Sequence, residues 1–182
     1  NLYPAKIISF EKDADNILFY TENNVILKIT VLRDSMLRFR YTAKGYFSND
    51  FSYAIDKKQH HGYNVLEVTE EPLFYQIKTS KIVCHVNKID LRISIFDLTG
   101  KIILEDELGF HWEESYEYGG NIVKMSKTSQ DGECFYGLGD KASHLNLKGR
   151  RLENWATDQY AFSKDQEPLY KAVPFYVGLH NK

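Results

Sequence analysis

The sequence predicts an all-β fold of antiparallel strands, arranged as a sandwich or a barrel. Three observations carry that prediction. Apolar and polar residues alternate with period two in run after run. Turn-forming Asn, Asp, Ser, Thr and Gly separate the runs at intervals of about 8–12 residues. Tyr and Phe, which favour strands, number 13 and 11 among 182 residues. No segment shows helical periodicity beyond one turn near Lys141–Leu145.

In chain order, Ile17–Tyr20 reads as a strand that breaks at Asn23-Asn24, since Asn tolerates the positive φ of a tight hairpin turn. From Val25 to Val31 every odd position is aliphatic. After Leu37, apolar and basic residues alternate through Arg38, Phe39, Arg40 and Tyr41. Val65–Thr69, Phe74–Lys78 and Ile82–Val86 continue the pattern, with Thr79-Ser80 dividing the last two. Leu91–Phe96 alternates again, and Asp97-Leu98-Thr99-Gly100 places Gly for a turn before Lys101–Leu104. Asn121–Lys127 is the last clear run. Each run is expected to put one side on a core and the other in water.

The texture changes near Glu133. Alternation is weak between Gly139 and Leu169, although the stretch is rich in aromatics. About 30 residues without regular structure is unusual in a compact domain and points to a functional loop. The chain reads as a single β-sandwich domain over 1–182, with this loop at about 140–170 and no linker or repeat.

Composition excludes several function classes. With 23 Lys+Arg against 25 Asp+Glu, the net charge is −2 and nothing suggests a nucleic-acid footprint. No apolar run reaches the roughly 18–20 residues that span a bilayer. Cys84 and Cys134 lie far apart and read as buried small hydrophobes. His60, His61 and His111 have no partner at ligand spacing and read as exposed loop residues, so no metal is expected. Gly137-Leu138-Gly139 lacks the third Gly of a dinucleotide fingerprint and reads as a tight turn leaving a strand. Ser143-His144 has no nucleophile elbow around it. Glu105-Asp106-Glu107 and Glu113-Glu114 read as solvated surface. A complete (β/α)8 enzyme needs roughly 250 residues, more than this chain provides. The N-terminus has no Met and no signal-like segment, which suggests a processed or excised chain. A periplasmic or secreted setting is favoured over a cytoplasmic one.

One constellation points to sugar chemistry. In Trp155-Ala156-Thr157-Asp158-Gln159-Tyr160 an acid lies beside two large aromatics. A carboxylate accepts hydrogen bonds from sugar hydroxyls, and an aromatic face packs on the apolar C–H face of a ring. The same residues also read as a loop Asp capping a turn beside an anchoring Trp.

Four blocks over about 45 residues then carry a resemblance. They are Phe135-Tyr136-Gly137-Leu138-Gly139-Asp140, Leu145–Arg151, Trp155–Tyr160 and Leu169–Leu179. In order and spacing they resemble the end of the N-terminal β-sandwich of glycoside hydrolase family 31, which includes α-glucosidases and α-xylosidases. The segment from Tyr75 to Asp106 resembles the same domain more loosely. The resemblance implies a galactose-mutarotase-like sandwich and a separate, following (β/α)8 barrel. That barrel holds the two catalytic Asp residues of retaining hydrolysis, so this chain holds none and is expected to be inactive alone. By the family pattern, it ends in mid-strand and is a piece of a larger protein. The resemblance further implies that Asp158 sits in a loop over the barrel mouth and lines the substrate subsites, with Trp155 and Tyr160 as neighbours. The implied partners are an α-linked glycoside, foremost an α-glucoside, and the chain's own C-terminal barrel, and no cofactor is needed. Asp140 stands where the family more usually has Glu, and Ala156 where Asn is common; both changes bear on subsite preference. The competing readings are a non-catalytic sugar-binding module and a purely structural domain. The second predicts an apolar patch around Leu169–Leu179.

Overall fold

The computed structural model describes residues 1–53, 55 and 67–180. His60, His61, Val65 and Leu66 lie outside the described residues. Twelve strands form, every pair is antiparallel, and no helix occurs among the described residues, so the all-β expectation holds. The single helical turn expected near Lys141–Leu145 is replaced by bends. The chain divides into two compact units, Asn1–Thr128 and Ser129–Lys182.

The first unit is a sandwich of two sheets. One holds β1 (Ile7–Asp13), β2 (Asn16–Thr21), β3 (Ile26–Arg33) and β4 (Met36–Thr42), in that order. The other runs β10-β9-β8-β7-β6-β5, from β5 (Glu67–Glu70), β6 (Phe74–Lys78), β7 (Ile82–Asn87) and β8 (Ile93–Asp97) to β9 (Ile102–Ser115) and β10 (Gly120–Lys127). Period-two alternation becomes burial directly. Ile17, Phe19, Leu27, Ile29 and Val31 point into the core from one sheet, and Tyr75, Ile77, Cys84, Val86 and Ile93 from the other. Each such side chain contributes about 1.5–3 kcal/mol of transfer free energy. Aromatic rings bridge the sheets: Phe19 lies 5.2 Å from Tyr75, and Tyr41 stacks on Phe110 at 4.5 Å. A polar tie joins the β6–β7 turn to the β3–β4 turn, where the buried Thr79 hydroxyl donates to the Asp34 carbonyl at 2.6 Å.

The turns follow their chemistry. Asn24 has φ 63° and Gly100 φ 88°. Asp97 accepts from the Thr99 hydroxyl and amide and from the Lys101 amide, and these bonds hold its carboxyl below the usual carboxylate range. Leu91, expected in a strand, instead adopts φ 59° in the preceding turn, and β8 starts at Ile93. It is nonetheless 1% exposed, because the turn folds it back onto the core.

β1 lies outside the runs read from the sequence and carries no burial alternation, since all but Ile7 is exposed at a sheet edge. Three expectations are corrected. β10 is exposed on both sides for most of its length, at the opposite edge of the other sheet. His111 is not an exposed loop residue: it is buried on β9, with Nδ1 3.0 Å from the Gly109 carbonyl and Tyr3 stacked on its ring. Asp106 is not solvated surface. It is 5% exposed, its Oδ2 accepts the Ile93 amide at 2.8 Å, and its Oδ1 accepts Lys127 Nζ. A bulge makes this possible. Ser126 pairs with Gly109 and Lys127 with Asp106, so Glu107 and Leu108 are passed over. Gly109 takes φ 63°, and a Cβ there would lie 2.9 Å from Asp106 Oδ2.

Both cysteines are free. Cys84 is fully buried, and burial pushes its thiol up to about 12; Cys134 is only half-buried. Because the thiolate is the nucleophile, native protein at about pH 8 should take an iodoacetamide label at Cys134 alone. Cys84 should be labelled only after denaturant is added. Peptide mass spectrometry that found equal native labelling of both would contradict this packing.

Candidate functional site

The second unit is built on two strands, β11 (Cys134–Gly139) and β12 (Ala172–Leu179). Gly137-Leu138-Gly139 is not a turn leaving the strand but a bulge within it, with all three residues at positive φ. Glycine is required by close approach of the partner strand. A Cβ on Gly137 would lie 2.6 Å from the Phe175 carbonyl oxygen, and one on Gly139 would lie 2.2 Å from that of Lys171.

Between these strands, residues 140–171 form one long excursion without regular structure. It is folded back on itself rather than loose. The Asp140 amide bonds the Lys171 carbonyl, Asp165 bonds Ala142, Leu147 bonds Phe135, and Thr157 bonds Leu169. The Tyr170 hydroxyl donates to the Gln159 carbonyl. Arg150 pairs with Asp165 at 2.7 Å, and Lys141 with Glu167 at 2.8 Å. Leu147 and Leu169 are buried at its two ends.

The three predicted site residues sit on one exposed stretch of this excursion. Trp155 is 69% and Tyr160 91% exposed, and Asp158 is exposed between them. The backbone beneath is fixed at Thr157 and Gln159 by the bonds just described. The turn-capping reading of Asp158 does not hold: no described residue donates to its carboxylate. The stretch thus presents an acceptor and two aromatic rings on a held backbone, the functional groups that suit a polyol with an apolar ring face.

Cavities lie elsewhere, and two of them have aromatic walls. One of about 350 Å³ is lined by Phe135, Leu138, Leu152 and Tyr176, with Lys148 and Arg150 also in its wall. One of about 620 Å³ in the first unit is lined by Tyr41, Phe110 and Trp112, with Arg40 and Asn121. Neither includes Asp158, Trp155 or Tyr160. Ser143 and His144 do not form a nucleophile pair, since the Ser143 hydroxyl is buried without a hydrogen-bond partner. Among the described residues no group of three or more His, Cys, Asp or Glu side chains is placed to hold a metal ion. Sequence reasoning missed Lys141 and Glu167, whose 26-residue separation carries no local signal.

β12 is exposed along nearly its whole length. Val173, Phe175, Tyr176, Val177 and Leu179 are 42–66% exposed. This is the apolar patch predicted around Leu169–Leu179.

Comparison with known proteins assigns the family. A family model described as the glycosyl hydrolase 31 N-terminal galactose mutarotase-like domain matches residues 26–182. The chain is 26% identical over 158 residues to alpha-glucosidase 2 of Bacillus thermoamyloliquefaciens, covering 86% of this chain and 19% of that protein. Among solved structures, a Flavobacterium johnsoniae GH31 dextranase complexed with isomaltotriose superposes with a TM-score of 0.87 at 26% identity. That match covers 98% of this chain and 22% of the dextranase. A GH31 alpha-xylosidase from Xanthomonas citri shares the fold, with a TM-score of 0.73 at 23% identity over 92% of this chain and 18% of its own. The chain therefore spans about a fifth of the length of these relatives. An all-β sandwich followed by a two-stranded unit with a long aromatic excursion, matched by that family over residues 26–182, belongs to the glycosyl hydrolase 31 N-terminal galactose mutarotase-like domains.

Proposed function

We propose that this domain serves a retaining α-glycosidase acting on terminal α-linked sugars, foremost α-glucosides. Its excursion at 140–170 lines the substrate site of a separate (β/α)8 barrel in the same longer chain. The observation that carries the reading is the exposed Asp158 carboxylate, without a donor among the described residues, between Trp155 and Tyr160 on a fixed backbone. An exposed acceptor on an ordered loop is suited to a ligand that arrives from outside. The named activities of the relatives, alpha-glucosidase and dextranase, support the choice of glucosides. The exposed apolar residues of β12 support a docking role for the same unit, which is compatible with a loop that completes another domain's site.

The division of labour is tested by assaying this chain and the full-length gene product on aryl α-glucoside, α-xyloside and α-galactoside. The chain alone is expected to be inactive, and turnover by it would refute the proposal. In the full-length enzyme, Asp158→Ala should lower kcat/KM by about 1–3 kcal/mol of lost substrate contact. Unchanged kinetics would remove Asp158 from the site.

A further inference from the structure

The Lys141 ammonium ties separate segments of the excursion together. Lys141 follows β11 by two residues, and its side chain is 6% exposed, against 15% for Glu167. Its Nζ donates to Glu167 Oε2 at 2.8 Å and to the Glu153 carbonyl at 2.9 Å. The Glu153 amide lies 3.4 Å from the same carboxylate oxygen. Lys141 thus joins segments 12 and 26 residues away. Both segments lead directly to the candidate site. Glu153 precedes Trp155 by two residues. Glu167 precedes Leu169 by two, and the Leu169 carbonyl accepts the Thr157 amide.

A buried ion pair adds little net stability over an apolar pair of similar shape, because desolvation offsets the Coulomb attraction. What it adds is direction: an ammonium has three donors, each of which needs an acceptor in a defined place. Arg150–Asp165 offers a contrast within the same loop. Its side chains are 29% and 39% exposed, and such a surface pair fixes little.

We propose that Lys141 is a positioning residue, holding the Trp155–Tyr160 segment through Glu153 and Glu167 so that Asp158 meets substrate without Lys141 touching it. The proposal rests on the reading of Asp158 given above. The full-length enzyme is the material for the test, as Lys141→Met, as the double variant Lys141→Met/Glu167→Leu that leaves no unpaired charge, and as Arg150→Ala. Hydrogen exchange read by mass spectrometry over 155–160 is expected to quicken in both Lys141 variants and not in Arg150→Ala, with the core strands of the first unit unchanged. Steady-state kinetics on the hydrolysed aryl glycoside should show kcat/KM about 10–100-fold lower. The change should fall on the same parameter, kcat or KM, that Asp158→Ala moves. Unchanged exchange over 155–160 in the double variant would overturn the proposal, whatever the kinetics. Quickened exchange with normal kcat/KM, while Asp158→Ala is impaired, would overturn the positioning role alone. Normal kinetics in Asp158→Ala as well would overturn the reading beneath it.

Discussion

Asp106→Ala should destabilise the first unit by about 3 kcal/mol, the cost of removing one partner of a buried, hydrogen-bonded charge pair. The carboxylate answers two donors at once, the Ile93 amide and Lys127 Nζ. Its loss leaves the amide without an acceptor inside the sheet and the ammonium, 31% exposed, without its counter-charge. That partial exposure lets water solvate Lys127, so the cost stays toward the low end for a buried pair. Asp106→Asn keeps the shape and one acceptor oxygen and should cost less. Urea unfolding measures both variants, and Cys84 labelling locates the damage, since that thiol is reached only when the sandwich opens. An Asp106→Ala protein as stable as wild type would show that the bulge at Gly109 does not depend on the carboxylate it shelters.

The second large effect is expected from Gly139→Ala. The new methyl group would lie 2.2 Å from the Lys171 carbonyl oxygen and 3.0 Å from the Val173 amide nitrogen, at a residue with φ 80°. These are backbone atoms at and just before the start of the partner strand and cannot swing aside as a side chain would. The β11–β12 pairing must part at this end, where Gly139 opposes Ala172. A lone two-stranded sheet is marginal in water, so the second unit is expected to lose its exchange protection altogether while the first melts as before. Gly100→Ala is the control. It has φ 88° but nothing within 4 Å, so it bears only the left-handed strain of about 1–2 kcal/mol. Equal effects at the two positions would mean that conformational strain, and not the clash, governs Gly139.

Four of the strands legible in the sequence bury one face more than the other, whereas β10, equally legible, is exposed on both sides for most of its length. β2, β3, β6 and β7 alternate in burial just as they alternate in hydropathy. β1 was illegible because a sheet-edge strand with exposed faces needs no apolar phase. β9 was legible only for its first few residues. Its bulge breaks the phase, and four consecutive residues, Gly109 to Trp112, are buried beyond it. Asp106 was misread because a charged residue enters a core only when a partner satisfies it, and Lys127 lies 21 residues away. His111 is satisfied locally, by the Gly109 carbonyl two residues before it, at the edge of a bulge that no spacing marks. For the candidate site, Trp155, Asp158 and Tyr160 could be named because they are contiguous. The clamp behind them could not, since Lys141, Glu153 and Glu167 meet only in three dimensions.

The boundary at Thr128 also has a meaning in time. Every member of the main core cluster precedes Ser129. A chain growing at about 5–20 residues per second can close its sandwich before the remaining residues have been added. Among the described residues of the second unit, Leu147 and Leu169 are the buried hydrophobic side chains, and β12 pairs with β11. Because β11 pairs with β12, the excursion between them cannot be closed before residue 179 has been added, whereas the last strand of the sandwich ends at Lys127.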